Sequence, residues 1–361
     1  MQARLQRSDG NPGVSTVALP SRSEHTITVN GRDGAAMHRA VCAVAAALDA
    51  RVLTRFVFTG SDNGMPLSES TQADGCAVWL RGDTSRDGAV TSMQAVAMTG
   101  TPLVPVSHRG RGIGYVYEDE QARYCRLSGV LPQDPAAPRD AQARDVLESL
   151  AAALAAHGFE FTDTVRTWFY LDRLLEWYPT FNVVRTDFFA GHGVFEKRVP
   201  ASTGIGAGNS AGAALTADLF AVQPRSGAVR IQAVPSPLQG SALNYRSSFS
   251  RAVELGFPTH RWLTISGTAS IGQDGQTVHL GDPSRQIGRT LDVVQALLQS
   301  RGMDWDGVTR GIAYFTDLAD LPLFHAACRE RGLSEASLAV AQAAICRANL
   351  LFELEVDAVA G

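Results

Sequence analysis

Val165-Arg166-Thr167-Trp168-Phe169-Tyr170-Leu171-Asp172 is echoed later in the chain by Val308-Thr309-Arg310-Gly311-Ile312-Ala313-Tyr314-Phe315-Thr316-Asp317, and this echo sets the architecture. Both stretches are rich in β-branched and aromatic residues, the composition of a buried strand. Ahead of each lies a segment whose apolar residues fall three and four apart: Val146, Leu147, Leu150 and Leu154 in one, Ile287, Leu291, Val294 and Leu298 in the other. That spacing predicts a helix with one buried face. A glycine closes each helix, Gly158 and Gly302, as expected where the chain turns left-handed. Upstream, 124–131 and 262–270 read as opening strands. Downstream come a second helix, within 174–189 and about 321–331, and closing strands at 215–222 and 350–356. The reading is a duplicated α+β unit, 123–230 and 240–361, with a period too long for a solenoid.

Residues 1–122 do not follow the pattern obviously. They offer a strand at 25–29, a helix near 36–49, and strands at 52–58 and 76–80. Two glycine-rich turns occur there, Gly60-Ser61-Asp62-Asn63-Gly64 and Arg109-Gly110-Arg111-Gly112-Ile113-Gly114. The second invites a phosphate-loop reading, but it lacks the Walker-A and GxGxxG spacings. A hydrophobic fraction of 45% and a charged fraction of 19% describe a globular chain. A net charge of −4 argues against general nucleic-acid binding. No apolar run is long enough to span a membrane, and the first twenty residues lack the apolar core of a signal peptide, so the expected location is cytoplasmic. Five scattered cysteines without CxxC spacing imply reduced thiols, with no metal site or disulfide framework.

Near the C-terminus, Glu353 has Leu351, Phe352 and Leu354 as neighbours. A carboxyl buried among them resists ionisation, because desolvation disfavours its charged form. Glu353 is therefore the candidate general acid. The alternative places Glu353 and Glu355 together on the solvent face of an edge strand.

The stretch 165–172, followed by Trp177-Tyr178-Pro179-Thr180-Phe181-Asn182-Val183-Val184-Arg185, Phe188-Phe189 and Val199-Pro200-Ala201-Ser202-Thr203-Gly204-Ile205-Gly206, resembles the RidA (YjgF) family. The second unit, from Ile265-Ser266-Gly267-Thr268-Ala269-Ser270 through Gln286 to Phe352-Glu353-Leu354-Glu355, is similar. The resemblance implies two tandem RidA-like, chorismate-mutase-like units packed with the N-terminal region in a pseudo-trimeric arrangement, with clefts between neighbouring sheets. Deaminases of that family carry an arginine after Pro-Ala, where this chain has Ser202, so imine hydrolysis is not expected. Tandem units, an added N-terminal region, Ser248-Phe249-Ser250-Arg251-Ala252 and Ile345-Cys346-Arg347 together resemble the chorismatases, which split chorismate into pyruvate and a ring acid. This implies that Glu353 is the catalytic glutamate, that no cofactor is needed, and that Cys346 marks the branch forming 3-hydroxybenzoate. A monomer and a homotrimer are both open.

Chorismate has two carboxylates, a ring hydroxyl and an enol ether, so its site needs cations and a proton donor. The arginine fork matches a carboxylate through two parallel hydrogen bonds. Arg166, Arg251 and Arg347 are the candidates; the alternative for each is a surface arginine or an ion-pair partner. Tyr245 either hydrogen-bonds a carboxylate or packs in the core, and Gly267 and Ala252 are candidates for shaping the ring pocket. Cys346 and Glu353 are an odd number of residues apart, which puts them on opposite faces of a straight strand. Both line one pocket only if a bulge or turn intervenes, with Asn349 the residue to mark it; otherwise Cys346 is a packing residue. Ser107-His108 lacks the partners of a hydrolase triad, and the aromatics at 168–181 read as core. The contrasting reading is a non-catalytic RidA-like module that binds a metabolite or regulates a partner.

Overall fold

A computed structural model describes residues 3–59, 76–82 and 90–361; the glycine-rich turn at 60–64 lies outside the described residues. Three sets of six strands follow one another. The first comprises β1 (Arg4–Ser8), β2 (Gly13–Ala18), β3 (Ser23–Asn30), β4 (Arg51–Thr59), β5 (Cys76–Gly82) and β6 (Val90–Thr99), with helix α1 (Gly34–Ala47) after β3. The second runs β7 (Val104–His108), β8 (Arg111–Glu118), β9 (Ala122–Val130), α2 (Arg139–Ala155), β10 (Thr164–Leu171), α3 (Leu174–Gly191), α4 (Val194–Lys197), β11 (Ala201–Gly208) and β12 (Leu215–Pro224). The third runs β13 (Arg230–Val234), β14 (Ala252–Gly256), β15 (Arg261–Ala269), α5 (Pro283–Gln299), β16 (Val308–Phe315), α6 (Leu321–Arg331), β17 (Leu338–Gln342) and β18 (Phe352–Ala360).

In every set the spatial order is first, second, third, sixth, fourth, fifth strand. The fourth strand pairs parallel with the fifth and antiparallel with the sixth. The first and second sets join through β5 and β11 into a twelve-stranded sheet, and the third forms its own six-stranded sheet. This is the α+β, pseudo-trimeric arrangement of repeated units expected from the sequence. The N-terminal region thus has the strand order of the two units that the sequence reveals.

The elements form for local reasons. The two echoed stretches are β10 and β16, buried at every position, which is why they read as near-continuous apolar runs. Helix α5 starts at Asp282, whose side chain accepts from the Arg285 amide, with Pro283 at the first turn. Gly158 and Gly302 have φ of 75° and 64°, the left-handed conformation expected where α2 and α5 end. Each set packs its long helix on one sheet face and so has its own apolar core. The opposite faces meet in a shared centre containing Phe56, Phe58, Trp168, Tyr170, Ile312 and Tyr314.

Register makes these central positions equivalent. Phe56 pairs with Gln94, Trp168 with Asp218, and Ile312 with Glu355. One step further along, Phe58 pairs with Ser92, Tyr170 with Thr216, and Tyr314 with Glu353. Polar groups tie the sets together at the first level. Arg310 donates from Nη2 to Glu355 at 2.7 Å, from Nη1 to Asp357 at 3.1 Å and from Nε to Gln94 at 3.0 Å. The Gln94 amide in turn donates to the carbonyls of Gly311 at 3.1 Å and Ser337 at 3.3 Å.

Gln94→Leu keeps the volume but leaves the Arg310 Nε and two buried carbonyls short of a partner. A buried unsatisfied group costs about 1–3 kcal/mol, so the variant is expected to lose at least that much in urea denaturation. An unchanged midpoint would show that Gln94 does not hold the N-terminal set in place.

Candidate active site

A cavity of about 740 Å³ opens between the second and third strand sets. One wall is the face of α3 carrying Tyr178, Asn182 and Arg185, with Ser202 and Gly204 of β11 beside it. The other wall is Gly267 and Ala269 at the end of β15, Glu353 at the start of β18, and Cys346 with Arg347 before it. A 3-10 turn, Ala242–Tyr245, and the segment through Arg251 close a third side.

Six of the residues singled out from sequence line this one cavity: Glu353, Cys346, Tyr245, Arg251, Arg347 and Gly267. Arg166 does not line it. Its guanidinium is buried, donating from Nη2 to Thr203 at 2.6 Å and to Glu355 at 2.9 Å, the ion-pair alternative noted for it. Ala252 also lies elsewhere, fully buried on β14 between Val234 and Ile265 in the third set's helix-packed core. Its small side chain serves strand packing.

Glu353 is only 4% exposed because β18 runs between β15 and β16, so the solvent-face alternative does not hold. Burial, reinforced by the negative charge of Glu355 and partly offset by Arg166 and Arg251, raises its pKa to about 8. Gly267 leaves room for its carboxyl: a Cβ there would overlap Glu353 Oε1 and displace it. The pairing of β15 with β18 shifts register between Ile265 and Thr268, which places Gly267 in an irregular stretch, and its amide donates to Thr203 Oγ1 at 3.0 Å. Cys346 reaches the same cavity because it precedes β18 in a turn, where the Leu350 amide donates to the Arg347 carbonyl at 3.1 Å. Asn349 sits in that turn and accepts from Thr277 Oγ1 at 2.9 Å. Burial, then the Glu353 charge, pushes the Cys346 thiol up to about 12.

Tyr245 organises two of the cations. Arg251 lies over its ring at 5.6 Å and Arg347 at 5.4 Å, contacts in which the ring face attracts positive charge. Arg251 is further anchored by two hydrogen bonds to the Gly240 carbonyl, at 3.0 and 2.8 Å, and Arg347 by one to Gly275 at 2.8 Å. A third cation was not singled out from sequence. Arg185, 1% exposed, donates to Asn182 Oδ1 at 2.6 Å, lies over Phe181 at 5.3 Å, and has a buried Nε without an acceptor. Its signal was present: Tyr178, Asn182 and Arg185 fall four and three apart, so one helix face carries three polar groups. Tyr178, read from sequence as a core aromatic, lines the cavity instead; its phenol pKa is raised by burial, and its hydroxyl approaches Gly204 closely.

No family model matches the chain. The chain is 30% identical over 233 residues to a chorismatase of Streptomyces hygroscopicus, which covers 56% of this chain and 65% of that protein. A chorismatase of Streptomyces rapamycinicus is 28% identical over 218 residues, covering 54% and 64% respectively. The match therefore spans just under two thirds of each relative's length. A chorismatase crystal structure superposes with a TM-score of 0.66 at 21% identity, covering 85% of this chain and 93% of that one. The chain thus resembles the chorismatase family in sequence and shares its fold.

The raised pKa of Glu353 has a consequence for stability. In the unfolded chain Glu353 ionises near 4.5, whereas in the folded chain it holds its proton to about 8. Between those values the folded state binds more protons, so stability falls as pH rises through the window, by about 1.4 kcal/mol per pH unit. Glu353→Gln removes this penalty. The variant is expected to be more stable than the parent at pH 8, by roughly 4 kcal/mol, and to match it at pH 4. Urea denaturation at both pH values checks this, and no stabilisation at pH 8 would contradict the protonated carboxyl.

Proposed function

We propose that this protein is a cofactor-independent chorismatase, cleaving chorismate to pyruvate and a ring acid with Glu353 as the acid. The observation that carries the reading is one cavity holding a carboxyl group that keeps its proton at neutral pH together with the guanidinium groups of Arg185, Arg251 and Arg347, with the exposed Arg246 also on its lining. Chorismate is a dicarboxylate, so Arg185, Arg251 and Arg347 match its charge, and the planar fork of arginine suits carboxylates. The sequence relatives named chorismatase support the same substrate.

In this reading Glu353 transfers its proton to the methylene carbon of the enolpyruvyl group. The ether carbon becomes an oxocarbenium ion, a cation favoured by the Glu353 carboxylate left behind. Water adds at that carbon, the ether bond breaks, and pyruvate leaves the ring as a dihydroxycyclohexadiene acid. Loss of water then aromatises the ring to 3-hydroxybenzoate, so water is returned and the products are together isomeric with chorismate. Cys346 is assigned to this second stage. Its thiol stays neutral, so it acts by shape and as a weak donor beside the departing hydroxyl.

Pyruvate release from chorismate is expected in wild type, with turnover falling as pH rises through about 8, where Glu353 loses its proton. Glu353→Gln should abolish turnover while substrate still binds; full activity in that variant would remove the mechanism. Arg185→Ala and Arg251→Ala each remove a charged partner from a buried carboxylate site, a loss of about 2–5 kcal/mol, or roughly 30-fold to several-thousandfold in affinity by calorimetry. Cys346→Ala and Cys346→Val should still release pyruvate but shift the ring product toward the dihydroxycyclohexadiene acid. An unchanged product from both would make Cys346 a packing residue.

A further inference from the structure

The acid of the proposed reaction has a second carboxylate two residues away, on the same face of β18. Glu355 is fully buried, and its oxygens are occupied by four donors. Trp168 Nε1 at 2.9 Å and Arg310 at 2.7 Å donate to Oε1; Arg166 at 2.9 Å and the Thr203 hydroxyl donate to Oε2. A carboxylate accepts through both oxygens and needs no proton in such a cage. Thr203 also accepts from the amide of Gly267, the residue against which the Glu353 carboxyl rests. Glu355 is thus linked to the seat of Glu353 by hydrogen bonds as well as by proximity.

The charges in direct contact with Glu355 balance one another, while Asp218 of β12, its carboxyl pushed up to about 7 by burial, also faces Arg310. Arg166 and Arg310 supply two cations, and Glu355 and Asp357 two anions, all mutually paired. Ionised Glu353 would be a third carboxylate at alternate positions of one buried strand, beside Arg166, whose Nη2 is already given to Glu355 and Thr203 while its buried Nε and Nη1 have no acceptor. The other groups acting on Glu353 are Arg251 on the cavity side, Tyr314 of β16, Tyr178 of α3, and Cys346. Burial keeps the two phenols and the thiol neutral, so Glu355, Arg166 and Arg251 are the charges that matter.

We propose that Glu355 is a positioning residue for the proton on Glu353: its caged negative charge holds the neighbouring carboxyl in the acid form that the chemistry requires. The inference deepens the chorismatase reading and rests on it for its purpose, though its physical content can be measured without substrate. Arg166, which does not line the cavity, then acts on the reaction through this charge balance.

The test compares two variants of the same cluster. Glu355→Gln removes the anion and leaves Glu353 beside an uncompensated positive charge, so Glu353 should titrate at lower pH, by on the order of 1–3 pH units. Arg166→Gln removes a cation, so Glu353 should titrate at higher pH than in wild type. The readout is carbon-13 NMR of the side-chain carboxyls in glutamate-labelled protein, with Glu353→Gln identifying the resonance. The alkaline limb of pyruvate release should move with each titration. Simple loosening of the core admits water in both variants and moves both titrations toward the ordinary carboxyl range, so opposite shifts distinguish charge from damage. Glu355→Asp, which keeps the charge, should restore most of the wild-type limb. Shifts in the same direction, or an aspartate variant no better than glutamine, would overturn the inference. If Glu355→Gln does not fold, Arg166→Gln still decides, since a downward or absent shift there is enough to sink the inference; if Arg166→Gln does not fold, the contrast between Glu355→Gln and Glu355→Asp decides. Opposite titration shifts without pyruvate release from wild type would sink the function and leave the charge assignment standing; pyruvate release with no shift would do the reverse.

Discussion

The pairing of Glu355 with Arg166 and Arg310 is the constraint around which the molecule is assembled. Two of its members lie in the third strand set and one in the second, and Arg310 reaches on to Gln94 in the first. Burying charges is costly, and the cost is recovered only where geometry and hydrogen bonding are both good. Here the carboxylate of Glu355 has four donors, so its charge is not left alone at the centre. The arrangement is strict in register. A slip of one residue along β18 would turn Glu353, Glu355 and Asp357 into the helix-packed core and bring Leu354 and Val356 to the centre.

Three equivalent strand sets create three equivalent positions, and only one carries an acid. Ser92 on β6 spends its hydroxyl on the Val340 carbonyl at 2.7 Å, and Thr216 on β12 spends its own on the Val130 carbonyl at 3.3 Å. Each neutral group is satisfied by a backbone partner. Glu353 stands at the matching place on β18, where Gly267 leaves space and Tyr178, Arg185 and Ser202 from the second set complete a cavity. The duplication therefore supplies the frame, while departures from it supply the site.

How legible this was differs by feature. The two later sets were readable because their central strands are apolar throughout and their helices have clear faces. In the first set the strands at 25–29, 52–58 and 76–80 and the helix near 36–49 were readable one by one, as β3, β4, β5 and α1, but their repeat of the later units' order was not obvious from the pattern, because α1 is rich in alanine. Glu353 stood out because of its apolar neighbours, and the cysteine seven residues earlier required a turn that the structure has around Asn349. Arg166 and Ala252 were harder to place, because a strand pattern gives a residue's face without saying whether that face meets a cavity or another sheet. Arg185 was hidden inside a helix whose aromatic residues dominate the pattern, although its spacing from Tyr178 and Asn182 was visible.

The electrostatics also limit what Cys346 does. Burial is the larger cause of its high pKa and the charge of Glu353 the second. While Glu353 keeps its proton the second cause is absent, and burial alone still disfavours a thiolate. An ionised Glu353 makes the thiolate less favourable still. With Glu353 in either form Cys346 is therefore a neutral thiol, unsuited to nucleophilic attack and suited to packing at the cavity wall. The same coupling orders the pair: the Glu353 carboxyl, raised to about 8, gives up its proton before the Cys346 thiol, pushed up to about 12.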